Sequence, residues 1–134
     1  VCASPAYLAQ HGTPQTPAEL ASHRAVLYLR NDRAYDLWRF SRGSEVEEVR
    51  VSGDYLCDDG EVARRWALAG HGIVYKAQLD VQADLDAGRL LPLLTDWQGE
   101  SAPFNLLCPH RAQVSERVKL LQAFLQQRCA ALLA

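Results

Sequence analysis

Residues 55–77, YLCDDGEVARRWALAGHGIVYKA, leave this chain few options. An apolar run, a polar break, a stripe of Val62, Trp66 and Ala69 at helical spacing, and a second apolar run follow one another with almost no spare residues. Asp58 can accept from the amides of the first helical turn as an N-cap, and Glu61 three residues later completes a pair resembling a capping box. Gly70 ends the helix where a left-handed residue is needed. Parallel strands need a helical crossover to join them, so strand, helix and strand this closely spaced predict an α/β unit rather than an antiparallel meander. Such units hold ligands beyond the carboxyl ends of their strands, which makes residues 57–60 a candidate site.

The totals narrow the function. At 134 residues, 49% of them apolar, the chain is most simply one domain with a real core. A formal charge of −2, with Lys and Arg scattered, leaves no electrostatic footprint for a phosphate backbone, so this chain alone is not expected to bind DNA. No apolar run reaches spanning length and the first residues lack signal-peptide order, so the expectation is a cytoplasmic protein with no membrane partner. Methionine is absent, position 1 included, which suggests a piece of something longer. The four cysteines form no Cys-x-x-Cys pair and the four histidines show no zinc spacing to them; buried reduced thiols are expected, with no metal and no cofactor.

Along the chain, Ser4 is placed to cap a short helix opened by Pro5, with Tyr7 and Leu8 as its apolar face and residues 11–12 as its stop. Thr16 and Glu19 repeat the start signal for a single helical turn to His23. Residues 25–29 form a compact apolar strand. Residues 37–40 and 45–51 read as antiparallel strands around a turn at 42–44, at least one of them a charged edge. A short helix over 79–87 turns Val81 and Leu85 inward and stops at Gly88. Strands are predicted over 90–94 and 103–108, the latter ended by Pro109. From Ser115 onward Val118, Leu121, Leu125, Cys129 and Leu132 recur at spacings of three and four, predicting a core-docking terminal helix.

With these pieces in order, the chain resembles a known family. Ala3-Ser4-Pro5-Ala6-Tyr7-Leu8, His11-Gly12-Thr13-Pro14, Pro17-Ala18-Glu19-Leu20 with His23, Trp38-Arg39-Phe40, Asp58-Asp59-Gly60-Glu61, Ala67-Leu68-Ala69-Gly70-His71-Gly72-Ile73, Gly88-Arg89-Leu90 and Asp96-Trp97 are similar to the effector-binding region of LysR-type transcriptional regulators. The resemblance implies a type 2 periplasmic-binding-protein-like α/β fold. In that fold two Rossmann-like subdomains are joined by crossover strands, with a small effector in the cleft. It implies that residues 1–3 cross over from subdomain I, 4–98 form subdomain II, and 99–134 are the second crossover and the C-terminal part of subdomain I. A helix-turn-helix region preceding Val1 would carry the DNA contacts, and the partners implied are a small-molecule effector and a second copy in a homodimer or higher homo-oligomer.

The effector-side residues implied are Ser4 and Pro5 at the crossover, Leu29, Arg30 and Asn31 after the first strand, Cys57, Asp58 and Asp59 at the helix start, and Gly72 and Ile73 at the turn into the next strand. The helix start favours an anionic group, although Asp58 and Asp59 also read as plain caps. Arg30 could hold a carboxylate through two parallel hydrogen bonds, or be a solvated surface arginine. His71 replaces the apolar residue usual between the two glycines and reads as an exposed turn residue. Two rival functions remain: a transport solute-binding protein of the same architecture, and a hydrolase using Cys57, the better thiolate candidate than Cys108 with His110. No phosphate loop, metal cluster or nucleophile elbow supports an enzyme, so no catalytic residue is assigned.

Overall fold

The computed structural model describes residues 1–30, 32–101, 103–107 and 114–133. It divides into two units, Val1–Glu100 and Ser101–Ala134. In the first, β1 (Cys2–Ala3) leads to α1 (Pro5–His11), a 3₁₀ turn (Pro17–Ser22), β2 (Arg24–Arg30) and β3 (Arg33–Ala34). The hairpin of β4 (Leu37–Arg42) and β5 (Glu45–Arg50) follows, then β6 (Ser52–Cys57), α2 (Gly60–Leu68), β7 (Ile73–Val74), α3 (Gln78–Asp86) and β8 (Leu91–Pro92).

β2 is the spine of the sheet. It runs parallel to β6 on one side and to β7 on the other, pairing Leu27 with Leu56 and Ala25 with Ile73. The expected strand–helix–strand unit therefore lies in one sheet, with β2 inserted between its two strands. β1 runs antiparallel to β7 and β8 antiparallel to β1, while β3 folds back on the end of β2. Two glycines let the flanking strands close: a Cβ on Gly53 would stand 1.9 Å from the Ala25 carbonyl oxygen, and one on Gly72 2.6 Å from that of Arg24.

Alternation along β2 sends Ala25 and Leu27 to one face and Val26 to the other, and both faces are buried. Leu27 packs with Tyr7, Leu20, Trp38, Phe40 and Trp97, so α1, the 3₁₀ turn and the hairpin cover that face. Val26 packs with Ala63, Ala67, Val81 and Leu90, so α2 and α3 cover the other.

Ser4 caps α1 as expected, accepting from the Tyr7 amide at 3.3 Å. Gly70 takes the left-handed conformation predicted for it, with φ of 85°. Thr16, by contrast, makes no side-chain cap; Glu19 accepts from the Gln15 amide at 2.9 Å and from the Thr16 hydroxyl at 3.2 Å, holding a 3₁₀ turn. On α2 the buried positions are Ala63 and Ala67, with Val62 and Trp66 only half-buried and Ala69 exposed. Small residues face the sheet because the helix lies close against it. The strand expected over 90–94 is reduced to Leu91–Pro92, with Leu90 and Leu93 buried beside it.

In the second unit, α4 (Glu116–Leu133) forms where the apolar periodicity places it, but none of its residues is buried. Val118, Leu125 and Cys129 are half-buried, whereas Leu121 and Leu132 are exposed. No strand forms over 103–107, which corrects the expected strand; Cys108, Pro109 and His110 lie outside the described residues. A strand needs a partner for its backbone groups, and none of the described segments pairs with this one. Phe104, Leu106 and Leu107 instead line an apolar groove of about 570 Å³ with Val118, Leu125 and Cys129.

One buried acid ties the first unit together. Asp84, 0% exposed on α3, accepts from the Arg64 Nε of α2 at 2.6 Å and from the Arg89 Nε at 2.8 Å. Burial pushes its carboxyl up, but the Arg64 and Arg89 guanidiniums outweigh burial and hold it below the ordinary carboxylate range. A carboxyl depressed in the folded state adds stability above its unfolded pKa and loses it as pH falls through the folded value. Asp84→Asn is expected to cost about 2 kcal/mol in urea unfolding at neutral pH, because it leaves the two guanidiniums undercompensated. The gap between wild type and variant should be complete above about pH 5 and shrink below about pH 4.

Candidate functional site

The parallel strands β2, β6 and β7 all deliver their carboxyl ends to one edge of the sheet. Tyr28 lies level with Cys57 across the β2–β6 ladder, and β7, level with Ala25 and Val26 at Ile73 and Val74, continues toward the same edge as Tyr75 and Lys76. At this edge Leu29 is half-buried and Arg30 exposed. The Arg30 guanidinium lies 5.5 Å from the centre of the Tyr35 ring, and its Nη1 is 3.8 Å from Glu100 Oε2. Asn31 lies outside the described residues.

Cys57 closes β6 with its thiol 3.2 Å from the Asp59 carbonyl oxygen and 3.8 Å from that of Leu27. Asp59, not Asp58, caps α2: its Oδ1 accepts from the Glu61 amide at 2.7 Å and the Val62 amide at 3.2 Å. Asp58 is exposed. The expected capping-box pair of Asp58 and Glu61 does not form, because the helix starts one residue later and Glu61 turns to Arg64 and Arg65.

Ser4, Pro5, Gly72 and Ile73 are not brought to this edge. Because β7 is parallel to β2, its first residues lie level with Arg24 and Ala25, at the amino end. β1 runs the other way, so Ser4 arrives at that same end, where its Oγ would be 3.6 Å from a Cβ on Gly70. Ser4 is buried and occupied as a helix cap, Pro5 is exposed at the first helical position, and Gly72 and Ile73 are buried in the sheet.

Other residues occupy the carboxyl edge unannounced by any motif. The Lys76 side chain is only 10% exposed; its Nζ pairs with Asp80 at 2.6 Å and lies 6.0 Å from the Tyr28 ring centre. It stands against the first residue of α2, where a Cβ on Gly60 would come within 2.6 Å of Nζ. Carrying the alternation of β7 two residues past Val74 would have brought Tyr75 and Lys76 to this edge. Tyr28, Tyr35 and Tyr75 form a chain of tilted rings, with centres 5.7 and 5.9 Å apart, and Tyr75 stacks on Trp38 at 5.3 Å. The Tyr35 hydroxyl donates to Glu100 Oε2, and the Glu100 amide donates to the Tyr75 hydroxyl. Burial, the donated hydrogen bond to Glu100 and the neighbouring Tyr75 together push the Tyr35 phenol far up, so it stays a protonated donor. No local signal marks Glu100, which comes from a loop distant in sequence.

The arrangement thus gathers two cations and a helix N-terminus at the mouth of a parallel sheet. The family described as the LysR substrate binding domain matches residues 1–130. The chain belongs to this family. It is 32% identical over 134 residues to the HTH-type transcriptional activator TtdR of Escherichia coli (strain K12), covering 96% of the chain and 42% of the relative. It is 26% identical to the HTH-type transcriptional regulator DmlR of the same organism, covering 95% and 41%. The LysR-family chain therefore spans about two-fifths of the length of these relatives.

The solved regulatory domain of CrgA, a LysR-type transcriptional regulator from Neisseria meningitidis, superposes with a TM-score of 0.73 at 32% identity, covering 92% of this chain and 61% of that one. The regulatory domain of AphB in Vibrio vulnificus shares the fold, with a TM-score of 0.70 at 21% identity over 95% of this chain and 62% of that one. The architecture is the type 2 periplasmic-binding-protein-like fold of LysR regulatory domains, and these relatives are regulators rather than transport proteins or enzymes. Among the described residues no helix is long and apolar enough to cross a membrane, and no group of His, Cys, Asp and Glu is arranged to hold a metal.

The one-residue shift of the LysR-domain cap has a measurable consequence. Asp59→Ala is expected to lower stability by about 1 kcal/mol in chemical unfolding, and Asp58→Ala by less than about 0.5 kcal/mol.

Proposed function

We propose that this chain is the ligand-sensing part of a LysR-type transcriptional regulator and that its effector is a small anion, most simply a carboxylate. The observation that carries this reading is the convergence of Arg30, Lys76 and the start of α2 on the carboxyl edge of β2, β6 and β7. Two cations beside the positive end of the α2 dipole supply the charge and donors that a carboxylate needs, although Asp59 already takes the Glu61 and Val62 amides. Leu29, Arg30, Cys57, Asp58 and Asp59 belong to this edge in the proposal, and Asn31 is proposed as an effector-side residue on the sequence alone. Ser4, Pro5, Gly72 and Ile73 act through the crossover and the packing of β7 rather than by direct contact.

In the same reading, residues 4–98 are subdomain II, while 1–3 and 99–134 belong with subdomain I of a longer polypeptide. The exposed Phe104, Leu107, Leu120 and Phe124 support this, since a lone domain rarely leaves so many large apolar side chains in water. That polypeptide reaches DNA through a helix-turn-helix region and acts as a homodimer or higher homo-oligomer in the cytoplasm, where free thiols such as Cys2, Cys57 and Cys129 persist. The effector works by favouring one conformation through differential affinity, and no bond in it is made or broken.

The test is a thermal-shift titration of the full-length protein with sodium acetate, succinate, citrate and benzoate. At least one should raise the midpoint, and Arg30→Ala should weaken that ligand about tenfold. A folded full-length protein that responds to none of them overturns the reading.

A further inference from the structure

The Glu100 carboxylate faces both Arg30 and Tyr35. Its Oε2 receives the Tyr35 hydroxyl and lies 3.8 Å from Arg30 Nη1, the cation that the anion-site reading assigns to the effector. We propose that Glu100 is a built-in competitor for the anion site, a carboxylate of the chain itself that an incoming effector carboxylate must displace from Arg30 and Tyr35. The inference rests on the reading that this edge takes an anion, and adds how its occupancy is regulated.

Three features make Glu100 a displaceable partner rather than a permanent one. At 3.8 Å the Arg30–Glu100 pair has charge attraction without a hydrogen bond, so the guanidinium's donors stay unused by it. A free carboxylate can approach the same guanidinium in its plane and take two parallel hydrogen bonds, which Glu100 does not. The Arg30 and Glu100 side chains are 61% and 39% exposed, so water screens the pair and is at hand to solvate the acid once it swings away.

The main chain beneath it is held, in contrast, by several bonds. Gln98 exchanges two 2.8 Å hydrogen bonds with Ser41 of β4, Trp97 lies under the Arg42 guanidinium at 4.3 Å, and Gly99 leaves room for the Tyr75 hydroxyl, which a Cβ would approach to 2.4 Å. The Glu100 amide then donates to that hydroxyl. The side chain can therefore leave while the backbone stays, and the bond that is lost is local. Neutral ligands gain nothing at this position, since they offer Arg30 no charge in place of the one they remove. The competitor thus sets a threshold and selects for anions.

The experiment titrates the full-length wild-type protein, Glu100→Gln, Tyr35→Phe and the double variant Glu100→Gln/Arg30→Ala with sodium succinate and sodium benzoate, using benzamide as the neutral control, by calorimetry. Glu100→Gln keeps the backbone bond to Tyr75 and an oxygen for the Tyr35 hydroxyl, and should bind the responding carboxylate about fivefold more tightly, the ratio an exposed ion pair is worth. Tyr35→Phe, which takes the same donor from Glu100 and from the ligand, should leave the affinity within about twofold of wild type, and the double variant should lose the gain. Benzamide binding should not change. If the wild type binds a carboxylate and Glu100→Gln binds it equally or more weakly, the competitor is refuted while the anion site stands. If neither protein binds any carboxylate, the anion-site reading fails and the competitor falls with it.

Discussion

The two parallel ladders on β2 are the constraint from which the rest follows. A strand paired in parallel on both sides must have both neighbours delivered by crossovers, and both of its faces must be covered. Here Gly53 and Gly72 let β6 and β7 approach β2, where any side chain would strike the Ala25 or Arg24 carbonyl. The crossover between them is α2, so this helix necessarily begins where β6 ends. Its first amides, Cys57 and the two aspartates arrive together with the last residues of β2. The candidate site is thus a by-product of the ladder geometry, and no separate device is needed to assemble it.

Charge is distributed in this unit according to what must stay fixed and what must change. The Asp84 carboxylate is buried and saturated by two guanidiniums, of which Arg64 is mostly covered and Arg89 half-exposed, and removing Arg64 would strand the acid in a poorly solvated place. Pairs at the carboxyl edge are of the other kind. Arg30 with Glu100 is exposed and long, and even Lys76, though mostly buried itself, meets an Asp80 side chain that is 51% exposed. Exposed pairs are worth roughly 0–1 kcal/mol each, against several for a buried pair that loses one member. An edge held by such pairs can exchange partners at little cost, whereas the α2–α3 packing behind it cannot. That contrast is what a sensor needs: a rigid frame for the amides and a loose set of counter-ions in front of them.

How much of this was legible in the sequence depended on range. Periodicity and caps are local, so α1, the β4–β5 hairpin, the crossover helix and α4 could all be read, as could their order. The cap of α2 slipped by one because Asp58 and Asp59 offer the same chemistry, and only the start of the helix at Gly60 decides between them. His71 sits between the glycines as expected, yet is half-buried, with its ring stacked 4.3 Å from Tyr55. At the site, residues bordering a polar break were visible, whereas those continuing an apolar run were not. Arg30 and Cys57 are of the first kind. Lys76 is of the second, and Glu100 depends on an encounter between loops 65 residues apart at the Tyr35 hydroxyl, which no spacing rule describes.

The second unit shows the same limit from the other side. The Val118, Leu125 and Cys129 stripe was correctly read as helical, but an amphipathic pattern specifies a face and not what covers it. An isolated helix of this length is marginal in water, and most helical stability in proteins comes from docking that face. Here the groove along that face is lined from outside the helix by Val114 and by residues 104–107, which form no strand and leave Phe104 70% and Leu107 89% exposed. The segment is rich in Phe and Leu, stays unpaired and leaves its apolar side chains facing water. The proposed longer polypeptide resolves both deficits at once, because one additional sheet would pair the backbone of 103–107 and bury the stripe of α4 beside it. The local pattern could name each element's apolar face, whereas whether residues 103–107 become a strand depends on a pairing partner that no local pattern specifies.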